Sequence, residues 1–198
     1  MAKKRCRWVV WLLLLLALLA AAGIWVLRVG LHRLDLARYP QKYSEAVDRY
    51  AAENGLDPLL VYTVIRTESG FDAAARSGVG ARGLMQITEE TFSWIKSKLA
   101  PAEDLTFDDL YDPAVNIRFG AYYFAACMAR YQNDVSTAAA AYHSGWGTVD
   151  KLLANEAYSA DGRVLHTFPY EQMGLYVRKI NRNYQKYQTL YQTTENEG

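Results

Sequence analysis

The sequence is poor in the groups that build disulfide frameworks and metal centres. It holds two cysteines and three histidines in 198 residues. Cys6 and Cys127 flank a long apolar run, so they are not expected to pair, and the fold must stand on its hydrophobic core. His32, His143 and His166 are scattered, and no His/Cys/acid spacing resembles a metal site. No metal and no cofactor is expected. Convincing two-residue alternation of apolar and polar side chains is also missing, which argues against a sheet-built domain. A basic excess is absent where a nucleic acid would need one. The net charge of +1 hides an asymmetry: residues 1–40 carry seven Lys/Arg against Asp35 alone, and residues 41–198 carry 15 Lys/Arg against 20 Asp/Glu. An acidic globular part is a poor match for a phosphate backbone, so no nucleic-acid partner is expected.

One long apolar run is present. Residues 8–27 hold no charge over 20 positions, enough as a helix to span a bilayer core of about 30 Å. Lys3, Lys4, Arg5 and Arg7 precede it, and the positive-inside rule then keeps the N-terminus cytoplasmic and sends the rest of the chain outward. Trp8, Trp11 and Trp25 lie near its ends, where indole rings suit the interface. Ala20-Ala21-Ala22 would satisfy a cleavage site, but the run continues through Leu27 past it, which favours an uncleaved anchor over a signal peptide. The expected organisation is a basic cytoplasmic N-terminus (1–7), a transmembrane signal-anchor (8–28), a juxtamembrane connector (29–40), one globular domain (41–191) and a frayed polar tail (192–198).

The globular part reads as all-α. Asp57-Pro58 and Asp112-Pro113 each place a capping acid before a proline at the first helical position. They open helices to about Gly70 and Gln132. Further helices are expected over 41–53, 88–99, 136–143, 148–153 and 169–191.

Glu68 falls in the last turn of the helix that Pro58 opens, after Leu59, Leu60, Val64 and Ile65. Apolar neighbours and the negative end of the helix dipole both disfavour its charge. A carboxyl kept protonated near neutral pH is what a general acid needs to protonate a glycosidic oxygen. Glu68-Ser69-Gly70-Phe71 is followed by a Gly-rich segment ending in Gly83-Leu84-Met85-Gln86-Ile87. Met85 offers an adaptable apolar contact, and Gln86 an amide that both donates and accepts, as sugar acetamides and hydroxyls require. A third segment is Ala141-Tyr142-His143-Ser144-Gly145, and a fourth runs from Phe168-Pro169-Tyr170-Glu171 into Tyr176-Val177. Ser69 is a poor candidate nucleophile, since no histidine base is placed beside it in a known order.

These four segments, in this order over residues 41–187, resemble the SLT domain of the family 1 lytic transglycosylases, which have a lysozyme-like fold. The resemblance implies Glu68 as the single catalytic acid and base. It implies substrate-binding roles for Ser69, Met85, Gln86, Tyr142, His143 and Tyr176, with Tyr142 supporting Glu68 and Tyr176 close to the reacting centre. The implied reaction is non-hydrolytic: the bond between N-acetylmuramic acid and N-acetylglucosamine breaks, and the muramyl C6 hydroxyl closes a 1,6-anhydro ring. The implied partners are peptidoglycan glycan strands, the membrane through the N-terminal helix, and cell-wall or secretion machinery. Two positions depart from the family pattern. His143 stands where the family has Asn, and Gln172 where it commonly has Glu. Two other functions fit the same residues. A goose-lysozyme-like hydrolytic muramidase would need Asp72, Glu89 or Glu90 to activate water. A catalytically silent glycan-binding scaffold would need no turnover at all.

Overall fold

A computed structural model describes residues 2–192, with side chains at 11 and 14–192. The expected tail over 193–198 and the Cys6 side chain lie outside the described residues. The chain divides into two compact units, residues 1–40 and residues 41–198.

The first unit is one helix, α1 (Ala2–Arg38). Its stretch Leu14–Arg38 is long and apolar enough to cross a membrane, and none of it is buried. The helix does not stop where the apolar run does: residues 29–38, expected as a connector, are helical too. Once a helix is nucleated, each further residue adds one backbone hydrogen bond, so polar residues extend it without an apolar face.

The second unit contains α2 (Ser44–Asn54), α3 (Pro58–Glu68), α4 (Glu89–Leu99), α5 (Pro113–Arg130), α6 (Val135–Ser144), α7 (Trp146–Leu153) and α8 (Glu171–Tyr191), with a short 3-10 turn at Phe107–Tyr111. Its described residues contain no strand, only isolated bridges pairing Arg82 with Arg76 and Ile87. The caps act as their sequence signals imply. Asp57 accepts from Leu59 N–H, Asp112 from Ala114 and Val115 N–H, and Thr88 from Thr91 N–H.

The position of α3 decides where Glu68 sits. Seven consecutive residues, Leu59–Ile65, are buried, so this helix is covered all round by its neighbours. It packs against α8, which in turn packs against α6. The helix ends where Gly70 turns to φ +61°, a conformation glycine adopts without strain. Glu68 is thereby carried on the last turn of a rigid, buried element. On the other side, α5 contacts α2, α4 and α6, and its Phe119 stacks on Phe92 of α4 at 5.3 Å. Cys127 of α5 is fully buried, and its thiol accepts from Trp146 Nε1 at 3.1 Å. Burial pushes that thiol up to about 12.

Candidate active site

The loop between α3 and α4 forms one wall of a cleft, and a single polar side chain from α5 holds it. Asn116 is fully buried. Its Oδ1 accepts from Met85 N–H at 2.8 Å, and its Nδ2 donates to Leu110 O at 2.8 Å and Arg82 O at 3.0 Å. Gly83 sits against this amide at φ +75°, where an added Cβ would meet Asn116 Nδ2 at 2.1 Å and Leu110 O at 2.2 Å. Only glycine fits there. Asn116 was not identified from sequence. The available signal is a lone amide within the apolar Pro113–Phe124 stretch, and its targets are backbone atoms up to 34 residues away.

Ser69 fixes the other side of the loop. Its hydroxyl donates to Leu84 O at 2.8 Å and accepts from Phe71 N–H at 3.2 Å. It ties the end of α3 to the loop and is not among the residues lining the cleft. Met85, expected to line the sugar subsites, is not among the residues that line this cleft. Met85 is fully buried, and its side chain fills the space at Gly120, where an added Cβ would lie 2.3 Å from Met85 Sδ. The following residue points the opposite way. Gln86 lines the cleft, with φ +49° and its Nε2 donating to Gly83 O at 2.8 Å. A non-glycine residue held in this sparsely populated region marks a position that the surrounding structure over-determines.

The cleft has a volume of about 290 Å³. Glu68 is the only carboxyl among its lining residues, which also include Gln86, Thr88, Tyr123, Tyr142 and His143. The Tyr176 hydroxyl donates to Glu68 Oε1 at 2.6 Å. No described group bonds Oε2. Burial raises the Glu68 carboxyl from its ordinary 4.5 to about 7, against the opposing influence of the Tyr176 hydrogen bond and the Lys179 charge. Tyr142 donates to Met85 O at 2.7 Å, so it braces the loop rather than bonding the acid. Burial, with Glu68 nearby, holds the Tyr142 and Tyr176 phenols well above their usual range. His143 lies at the end of α6, partly covered there by Tyr176, on which its ring stacks with centroids 4.5 Å apart and planes 13° apart. Burial and then Lys179 lower its pKa from 6.5. The α3–α8–α6 packing therefore brings Glu68, Tyr176 and His143 together, while Gln86 and Tyr142 border the same cleft. Ser69 and Met85 act behind the wall.

An all-helical domain that presents one protonatable carboxyl in an open cleft is the lysozyme-like class. Residues 45–163 match the family model described as the transglycosylase SLT domain, and the chain belongs to that family. It is 38% identical over 115 residues to a transglycosylase of Enterobacteria phage PRD1, covering 56% of this chain and 39% of the relative. It is 28% identical over 169 residues to membrane-bound lytic murein transglycosylase C of Haemophilus ducreyi, covering 74% of this chain and 46% of the relative. Among solved structures, an inactive Glu-to-Gln mutant of the lytic transglycosylase Slt of Pseudomonas aeruginosa superposes with a TM-score of 0.68 at 28% identity. That match covers 78% of this chain and 25% of the other. The chain thus spans less than half the length of each of these relatives.

Proposed function

We propose that this protein is a membrane-anchored peptidoglycan lytic transglycosylase, with Glu68 as its acid and base. The observation that carries the reading is the lone cleft carboxyl, held protonated to about pH 7 with one oxygen bonded by Tyr176 and the other free for substrate. A hydrolase of the usual kind needs a second carboxylate to activate water or attack the sugar. Asp72, one candidate for that role, is exposed and accepts from Ala74 N–H as a local turn cap.

In the proposed mechanism Glu68 Oε2 carries the proton and gives it to the glycosidic oxygen between the muramyl and glucosaminyl residues. The bond to muramyl C1 breaks, and the 2-acetamido group of the substrate stabilises the developing cation. The Glu68 carboxylate is then held by the Tyr176 hydrogen bond and by the charge of Lys179. It removes the proton from the muramyl C6 hydroxyl, whose oxygen attacks C1 and closes the 1,6-anhydro ring. Glu68 ends the cycle protonated, and no water is consumed.

Helix α1 supplies the proposed anchor, with its N-terminus cytoplasmic and the catalytic domain on the outer side. The glycan strands within reach would be those near the outer membrane face. The testing experiment is digestion of purified wall in heavy-oxygen water, followed by mass spectrometry of the muramyl ends. The expected products are unlabelled anhydro ends. Stoichiometric label in reducing ends would overturn the reading in favour of hydrolysis.

A further inference from the structure

The inner face of α8 is apolar or aromatic with one exception. Val177, Ile180, Tyr187 and Leu190 are buried along it, and Asn183 lies among them at 7% exposure. Its Nδ2 donates to the Thr67 hydroxyl of α3 at 3.0 Å. That hydroxyl gives its own proton to Thr63 O, one turn back, at 2.8 Å, which leaves a lone pair to face Asn183. Thr67 directly precedes Glu68. Asn183 stands seven residues after Tyr176, two turns and about 10 Å further along the same face of α8. The last turn of α3 is therefore bonded to α8 at two points: Tyr176 holds the carboxyl of Glu68, and Asn183 holds the residue before it.

A buried amide among apolar side chains adds little net stability, since its desolvation offsets most of the bond. What it selects is register. Apolar contacts are non-directional and tolerate a small slide or rotation of one helix on another, whereas the amide meets its hydroxyl in one arrangement only. That arrangement is the one in which the Tyr176 hydroxyl lies 2.6 Å from Glu68 Oε1. We propose that Asn183 and Thr67 are positioning residues for the reaction: their bond sets the register of α8 on the last turn of α3 and so keeps the Tyr176 hydroxyl on the Glu68 carboxyl. The inference rests on Glu68 being the acid of the cleft. A further polar bond joins the same two helices, from the Tyr184 hydroxyl to Asp57 Oδ2 at 2.6 Å, but it lies at the opposite end of α3. It supplies a control of the same kind at a distance from the chemistry.

The test uses the full chain in detergent with two readouts: steady-state digestion of purified wall, and titration of the Glu68 carboxyl followed by NMR of its carbon. Thr67→Val keeps the shape of the side chain and removes its hydroxyl. It is expected to lower kcat about tenfold with KM little changed. It is also expected to move the Glu68 titration above its wild-type midpoint of about 7, because the Tyr176 bond that opposes burial is weakened. Thr67→Ser, which retains a hydroxyl, is expected to recover both. Asn183→Ala is expected to repeat the Thr67→Val effects from the other partner. In a Tyr176→Phe background Thr67→Val is expected to add no more than about a twofold loss, since it acts through the bond already removed. Tyr184→Phe is expected to lower thermal stability and to leave the titration in place. A Glu68 titration unmoved by Thr67→Val and Asn183→Ala would overturn the proposal. So would an equal shift in Tyr184→Phe, or an undiminished loss in the Tyr176→Phe background. Wild-type turnover by Glu68→Gln would remove the acid reading of Glu68 itself, and this proposal with it.

Discussion

The Tyr176 hydroxyl reaches Glu68 Oε1 at 2.6 Å across a sequence separation of 108 residues, joining the last turn of α3 to the inner face of α8. The bond favours the carboxylate and so works against the burial that raises the Glu68 pKa. Tyr176→Phe removes it. The alkaline limb of the kcat/KM profile, expected near pH 7 in the wild type, should move to higher pH. Overall turnover should fall, since the carboxylate formed after proton transfer loses its donor. A limb that stays in place or moves to lower pH would show that Tyr176 does not tune the acid.

Glu68→Gln keeps the shape of the side chain and removes its proton chemistry. Turnover should drop by roughly a hundred- to ten-thousand-fold, with the fold intact by circular dichroism. The same variant should be stabilised relative to wild type in alkaline solution. The Glu68 pKa is raised on folding, so its contribution to wild-type stability is fully present below about pH 4.5 and lost as pH rises through about 7. The gap between variant and wild type should therefore widen from pH 4.5 to pH 8, by up to about 3 kcal/mol. Parallel stability curves for the two proteins over that range would mean that Glu68 is not protonated near neutrality in the fold.

Asn116→Ala should destabilise the domain by about 2–4 kcal/mol, because it leaves Met85 N–H and the Leu110 and Arg82 carbonyls without their buried partner. Activity measured well below the melting temperature should fall as well, since the Gly83–Ile87 wall loses its tether to α5. Denaturant unfolding with activity assays checks both. A variant as stable as wild type would show that the loop holds its shape without the amide.

His143→Asn concerns the ring stacked on Tyr176. The imidazole is held below its ordinary value of 6.5, so it is neutral at pH 7 and gains charge only on further acidification. An imidazolium beside the Tyr176–Glu68 pair favours the carboxylate, which makes it a weaker base for the proposed ring-closing step. Lys179 is already a cation in the same neighbourhood and acts on both groups. The asparagine variant should stay active and lose less rate than wild type below pH 6. Superimposable acid limbs would place His143 outside the proton chemistry.

Two helix starts were legible because Asp57-Pro58 and Asp112-Pro113 each encode a local capping bond, which needs no tertiary context. The desolvation of Glu68 follows from its place at the end of an apolar helix, but its proposed catalytic role rests on the four-segment resemblance. The facing of Met85 and Gln86 was not legible. A loop has no period to say which of two adjacent side chains turns inward, and here the answer depends on the space left by Gly120 on another helix. The tether that Ser69 makes to Leu84 and the one that Asn116 makes to Met85 were not legible, because their partners are backbone atoms distant in the chain. The helical continuation over 29–38 is not marked by hydrophobicity, which ends before the hydrogen-bond ladder does.

The packing of Cys127 has a practical consequence. A neutral, covered thiol does not react with alkylating reagents, because the thiolate is the nucleophile and here it is suppressed at ordinary pH. Labelling at this position must wait until α5 and the start of α7 at Trp146 separate. In a chain carrying Cys6→Ser, Cys127 is the sole remaining thiol, and its modification rate becomes a clock for opening of the domain interior. The protein thus carries its own unfolding sensor, readable in turbid samples where optical probes of folding are obscured.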